Sequence, residues 1–155
     1  MAQIEIDEVD RHLLRLLQED ASTSVSDLTE RVGLSQSPCW RRINRLENEG
    51  VIKRRIAVLD EEKLGFGTTV FAQVRLSSHG RRSIQEFEDA IRAFPEVIDC
   101  FAILGQADFI LRIVTRDMHG YEAFVRQSLF NMPHVQEVHS MVGLTPTKDR
   151  APLPV

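Results

Sequence analysis

Arg41, Arg42, Arg45, Lys53, Arg54 and Arg55 crowd into one short stretch, offset only by Glu47 and Glu49. They give it a local charge of +4 in a chain whose net charge is −4. A guanidinium is a fixed fork of N–H donors that matches a phosphate or the edge of a guanine, so the chemistry on offer is anion recognition. Local sign, not the total, decides phosphate contact. At about 100° per residue, a helix from Ser35 to Gly50 places Cys39, Ile43 and Leu46 on one stripe. Ser37, Arg41, Asn44 and Arg45 then fall opposite, with Arg42 on the flank. The stripe packs and the front faces something anionic. Ser35 or Ser37 suits the cap, Pro38 the first turn and Gly50 the stop. Trp40, the only Trp, sits at the edge of the stripe, where it can pack or stack on sugars.

Other chemistry is poorly supported. The chain has no G-x-S-x-G, Walker loop or H-E-x-x-H, and His12, His79, His119, His134 and His139 keep no ligand spacing within one element. His139, beside Ser140, reads as solvent-facing or interfacial. Glu86, Glu88 and Asp89 read as a solvated helix face rather than an acid–base set. No catalytic residue, metal site or cofactor is expected. Gly105-Gln106-Ala107-Asp108 reads, on its own, as a hairpin turn.

Three helices position the cationic front. Val9, Leu13, Leu16 and Leu17 keep helical spacing from Asp7, a cap, to Glu19, and Val25, Leu28 and Val32 mark a second helix from Ser24. Only Leu34 and Ser35 separate Gly33, which ends it, from the third. That tight helix-turn-helix spacing projects the later helix into a major groove. After Gly50, VIKRRIAVL suggests a strand serving as a short wing. An ordinary three-helix bundle with a solvated Arg face is the competing interpretation, and the tight turn disfavours it.

The texture changes at Gly65-Phe66-Gly67. Residues 68–77 alternate with Val70, Ala72, Val74 and Leu76 on one face, and residues 81–94 space Ile84, Phe87, Ile91 and Phe94 for a helix. Residues 97–104 and 109–115 read as strands joined by the hairpin. Residues 118–130 read as a helix with Tyr121, Phe124, Val125 and Leu129 inward, and residues 135–142 as a closing strand. The order βαββαβ predicts a ferredoxin-like sandwich, so the fold class is α+β. Cys39 and Cys100, in separate domains, read as small core residues and not as a disulfide or metal pair. Ile98, Cys100, Ala102 and Leu104 face one way and Phe101 and Ile103 the other, so a monomer would leave an apolar sheet face in water. A sheet-to-sheet homodimer is therefore expected.

IDEVDRHLLRLLQED from Ile6, VGLSQSPCWRRINRLENEGVI from Val32 and AVLDEEKLGFG from Ala57 closely resemble the amino-terminal half of the Lrp/AsnC transcription factors. The second half resembles that family's ligand-sensing domain in order and length. The resemblance implies a winged helix-turn-helix over residues 1–60, a linker over 61–67, a ferredoxin-like effector and oligomerisation domain over 68–144, and an extended tail over 145–155. It implies double-stranded DNA as partner, touched by Ser35, Gln36, Ser37, Arg41, Arg42, Asn44, Arg45, Arg54 and Arg55. It also implies a free small amino acid as effector, bound where dimers meet at the Gly-x-x-Asp turn of Leu104, Gly105, Gln106 and Asp108. Ser140, Met141 and Val142 of a neighbouring subunit would complete that pocket. Dimers associating further, commonly as rings of four (an octamer), are implied too. Arg54 and Arg55 stand where the family usually has Gly-Tyr, and Thr29 where a small Ala is usual.

With 43% hydrophobic and 27% charged residues in 155, the chain can bury one core or two small ones. No apolar run approaches the roughly 20 residues of a membrane span, and MAQIEIDEVD is acidic rather than signal-like. A cytoplasmic, amino-acid-tuned regulator of transcription is expected. Its rivals are an architectural DNA-wrapping protein without a physiological ligand, and a ferredoxin-like enzyme or regulatory subunit.

Overall fold

The computed structural model describes residues 4–78 and 80–155, so His79 lies outside the described residues. Two compact units divide between Val58 and Leu59, and Lys148–Val155 rejoin the first.

The first unit contains α1 (Glu8–Glu19), α2 (Val25–Val32) and α3 (Gln36–Asn48). Asp7 caps α1 by accepting the Asp10 N–H at 2.8 Å, while the Asp10 carboxylate accepts the Asp7 N–H, which satisfies amides that lack helical partners. Ser24 caps α2 through the Asp27 N–H. Gly33, at φ 69°, ends α2 in the left-handed region, where the Gly33 and Leu34 amides both reach the Thr29 carbonyl. Ser35 holds the cap position of α3, but its hydroxyl makes no capping bond. Leu13, Leu16, Leu28, Cys39 and Ile43 form the core. The tail docks here as well: the Gln18 Oε1 accepts the Leu153 N–H at 2.7 Å, and the Arg15 Nε donates to the Val155 carbonyl at 2.7 Å.

The wing strand expected over residues 51–59 does not form. Residues 53–60 are exposed and irregular, because a strand requires a neighbouring ladder and, among the described residues, nothing pairs with this one.

The second unit contains β1 (Thr68–Leu76), α4 (Arg81–Ile91), β2 (Val97–Ala102), β3 (Phe109–Thr115), α5 (Met118–Gln127) and β4 (Val135–Gly143). The sheet is antiparallel in the order β2-β3-β1-β4, as a ferredoxin-like sandwich requires. Val70, Ala72, Val74 and Leu76 of β1 meet Phe87, Ile91, Tyr121 and Phe124 of the helices in one core. The helix expected to run to Phe130 ends at Gln127, and Leu129–Asn131 tighten into a 3-10 turn. Cys100, expected in the core, is exposed instead. Its strand is the sheet edge with a single neighbour, so one flank has no cover.

Candidate nucleic-acid and ligand sites

On α3 the apolar stripe is buried, and Ser35, Gln36, Ser37, Trp40 and Arg41 are exposed. Trp40 is 58% exposed, so it does not pack into the bundle. Among the described residues Arg41 makes no hydrogen bond or ion pair. Asn44 is half-buried and donates to the Trp40 carbonyl at 3.1 Å.

Arg42 and Arg45, expected at phosphates or base edges, turn to carboxylates of the amino end of α1. The Arg42 Nη1 lies 2.6 Å from the Asp7 Oδ2 and 2.9 Å from the Asp10 Oδ1, while the Arg45 Nη2 bonds the Asp10 Oδ2. Arg45 also donates to the Glu5 carbonyl at 3.2 Å. The physical reason is burial: Asp10 is 1% exposed, and a carboxylate removed from water requires counter-charge and donors. The Asp10 N–H, and after it the Arg42 guanidinium, hold the Asp7 carboxyl below its ordinary value, and Asp7 and Asp10 raise the Arg42 guanidinium in turn. The clamp forms part of the wall of a cleft of about 580 Å³, in which Glu5, Asp7 and Asp10 face Arg41, Arg42 and Arg45. Asp10 is the residue that spacing did not reveal. An Asp at the third helical position signals a capping box, but nothing in the periodicity links residue 10 to residues 42 and 45.

After the helix, Arg55 bonds the Ala21 carbonyl at 3.1 Å and pairs with Glu47 at 3.0 Å. Arg54 and Lys53 remain exposed.

The turn between β2 and β3 holds Leu104, Gly105 and Gln106 out to solvent, and Gly105 has φ 156°. Asp108 is bound to the sheet: its Oδ2 accepts the Leu76 N–H at 2.8 Å, its N–H reaches the Val74 carbonyl at 3.0 Å, and its carbonyl accepts the Ile103 N–H at 2.9 Å. The Leu76 bond falls where the β1–β4 register shifts, next to Arg75. Ser140, Met141 and Val142 lie on the opposite edge strand, across from Ala72, Phe71 and Val70. Within one chain they are not brought to the turn. The Ser140 hydroxyl meets the Tyr121 hydroxyl at 2.5 Å, and Met141 and Val142 are exposed.

Residues 6–53 match the family model described as winged helix-turn-helix DNA-binding, and residues 69–153, more than half of the chain, match the one described as the Lrp/AsnC ligand binding domain. The chain belongs to the Lrp/AsnC family. It is 37% identical over 152 residues to the transcriptional regulator AzlB of Bacillus subtilis, covering 98% of this chain and 97% of that one. It is 39% identical over 140 residues to the Bkd operon transcriptional regulator of Pseudomonas aeruginosa, covering 90% and 92%. Among solved structures, this Lrp/AsnC chain superimposes with a TM-score of 0.92 and 33% identity on a Neisseria meningitidis transcriptional regulator in complex with L-methionine, over 97% of each chain. An AsnC family regulator from Agrobacterium tumefaciens gives 0.91 and 38%, over 96% and 97%.

Proposed function

We propose that this Lrp/AsnC chain is a sequence-specific, DNA-binding transcriptional regulator, not an enzyme, whose assembly and DNA binding respond to a small amino acid. The observation that carries it is the exposed polar front of α3, set behind a glycine-ended tight turn and joined in one chain to a ligand-binding fold. Gln36, Ser37 and Arg41 supply base-edge contacts. Ser35 and Asn44 assist, and Arg54 and Arg55 approach phosphate. No helix among the described residues is long and apolar enough to cross a membrane; a cytoplasmic address is part of the regulator reading and rests on it.

The effector site is placed at the Gly105–Asp108 turn and completed by Ser140, Met141 and Val142 of a neighbouring subunit. Support comes from the exposure of both segments and from the relative's complex with L-methionine. The Asp108 carboxylate suits an α-ammonium group, and the Gly105 and Gln106 amides suit an α-carboxylate. Phe71, Phe101 and Met141 stand 38%, 62% and 45% exposed on the sheet face away from the helices, which favours a sheet-to-sheet homodimer; further association toward an octamer rests on the family resemblance alone.

One observation favours the second reading, an architectural DNA-wrapping protein: Asp108 already serves the sheet through Leu76. Screening the standard amino acids for thermal stabilisation separates the two. A ligand at a hundred times its Kd adds about 2.7 kcal/mol, and the absence of any stabilising amino acid selects the architectural role.

A further inference from the structure

We propose that Asp10 is a positioning residue for the recognition helix, one that withholds Arg42 and Arg45 from DNA phosphate and leaves contact to the exposed front of Gln36, Ser37, Trp40 and Arg41. This rests on the DNA-binding reading above and assigns that interface its internal control.

Three observations carry it. Asp10 is 1% exposed and both its carboxylate oxygens are engaged, one by Arg42 and one by Arg45, with the Asp7 amide as a further donor. The two arginine side chains are only 32% and 37% exposed, whereas Trp40, on the same helix, is 58% exposed. Asp7 and the Glu5 carbonyl add an outer ring of acceptors, so the segment entering α1 offers the two arginines carboxylate and carbonyl oxygens in place of the phosphate oxygens of a DNA backbone.

The energetics favour retention. For a phosphate to take both arginines, Asp10 would be left buried without counter-charge, and that penalty is far larger than the worth of a solvent-exposed phosphate contact. The clamp therefore persists on DNA. It fixes the angle of α3 against α1, two segments that share no other ion pair among the described residues. It also removes two sequence-blind contacts. Phosphate contacts add affinity for every duplex alike, so withholding them raises the ratio of specific to random binding.

The test titrates the full chain against a random-sequence duplex and against a duplex selected by the same chain from a randomised library, at several salt concentrations. Trp40, the only Trp, reports binding by its fluorescence. Asp10→Asn keeps the size of the side chain and discharges it. The expected result is a salt slope on random duplex steeper by up to about 1.8, at roughly 0.9 per released arginine, with a lower ratio of selected to random affinity. Adding Arg45→Gln to Asp10→Asn should remove about half of that gain. A folded Asp10→Asn chain with unchanged slope and ratio overturns the proposal. If Asp10→Asn does not melt cooperatively, Arg45→Gln alone decides, since Asp10 then keeps Arg42: an unchanged slope supports the clamp, and one shallower by about 0.9 overturns it. A wild-type chain that binds no duplex at low salt overturns the DNA-binding reading itself, and the clamp with it.

Discussion

The front of α3 and the Gly105–Asp108 turn both hold polar groups out to solvent, yet only the first is complete within one chain. The residues proposed to read base edges, Gln36, Ser37 and Arg41, sit on neighbouring turns of a single helix, backed by a buried stripe. The residues assigned to the effector are split between the β2–β3 turn, whose Asp108 bonds β1, and the edge strand β4 on the far side of β1. On the function proposed above, one site depends on local periodicity and the other on assembly. Coupling of ligand to DNA would then run through a geometry that subunits form together.

The largest effect that sharpens this contrast is loss of one core without the other. Leu13 and Leu111 are both 0% exposed, one in each unit. Truncation of either to Ala should cost about 2–5 kcal/mol. Leu13→Ala should abolish duplex binding while sedimentation still reports the assembled oligomer, and Leu111→Ala should dissociate the oligomer. Simultaneous loss of both properties in Leu13→Ala would show that the two sites are not separable.

Next comes Arg41→Ala, which removes the one α3 arginine without an ion-pair partner among the described residues. It should lose about 1–3 kcal/mol on the selected duplex and relax preference at one position of each half-site. Competition binding with single-base variants checks this, and an equal loss on random DNA would reassign Arg41 to phosphate.

Asp108→Asn tests the incomplete site. The amide oxygen can still accept the Leu76 N–H, so melting should change little, while the charge opposite an ammonium group is lost. Basal DNA binding should persist and the amino-acid response should disappear, a coupling of about 1–3 kcal/mol. A full response in the variant would make the turn purely structural.

The smallest effect is at the segment after α3. Arg55 is held by Glu47 and Ala21 and Arg54 is exposed, so Arg54→Gly should flatten the salt slope by about 0.9 and Arg55→Tyr by less. Equal changes would mean that Arg55 leaves Glu47 on DNA.

These contrasts also explain what was legible in the sequence. Asp7, Ser24, Gly33 and Gly50 mark helix ends by local chemistry, and the Val70–Leu76 alternation and the βαββαβ order give the sandwich. Long-range partners left no such mark. The pairing of Asp10 with Arg42 and Arg45, the docking of Leu153 and Val155 on α1, and the bond from Asp108 to Leu76 each join residues more than thirty positions apart. The absent wing strand and the exposed Cys100 fail for a related reason, because β-propensity cannot report whether a neighbouring strand or a covering helix exists.

The central claim, that one chain couples a small amino acid to duplex recognition, is tested most directly by titrating the selected duplex with the wild-type protein in the presence and absence of each standard amino acid, L-methionine first. At least one should shift the apparent DNA affinity by roughly 5- to 150-fold, and DNA should change the affinity for that amino acid by the same factor. An affinity unchanged by every amino acid at saturating concentration would contradict it.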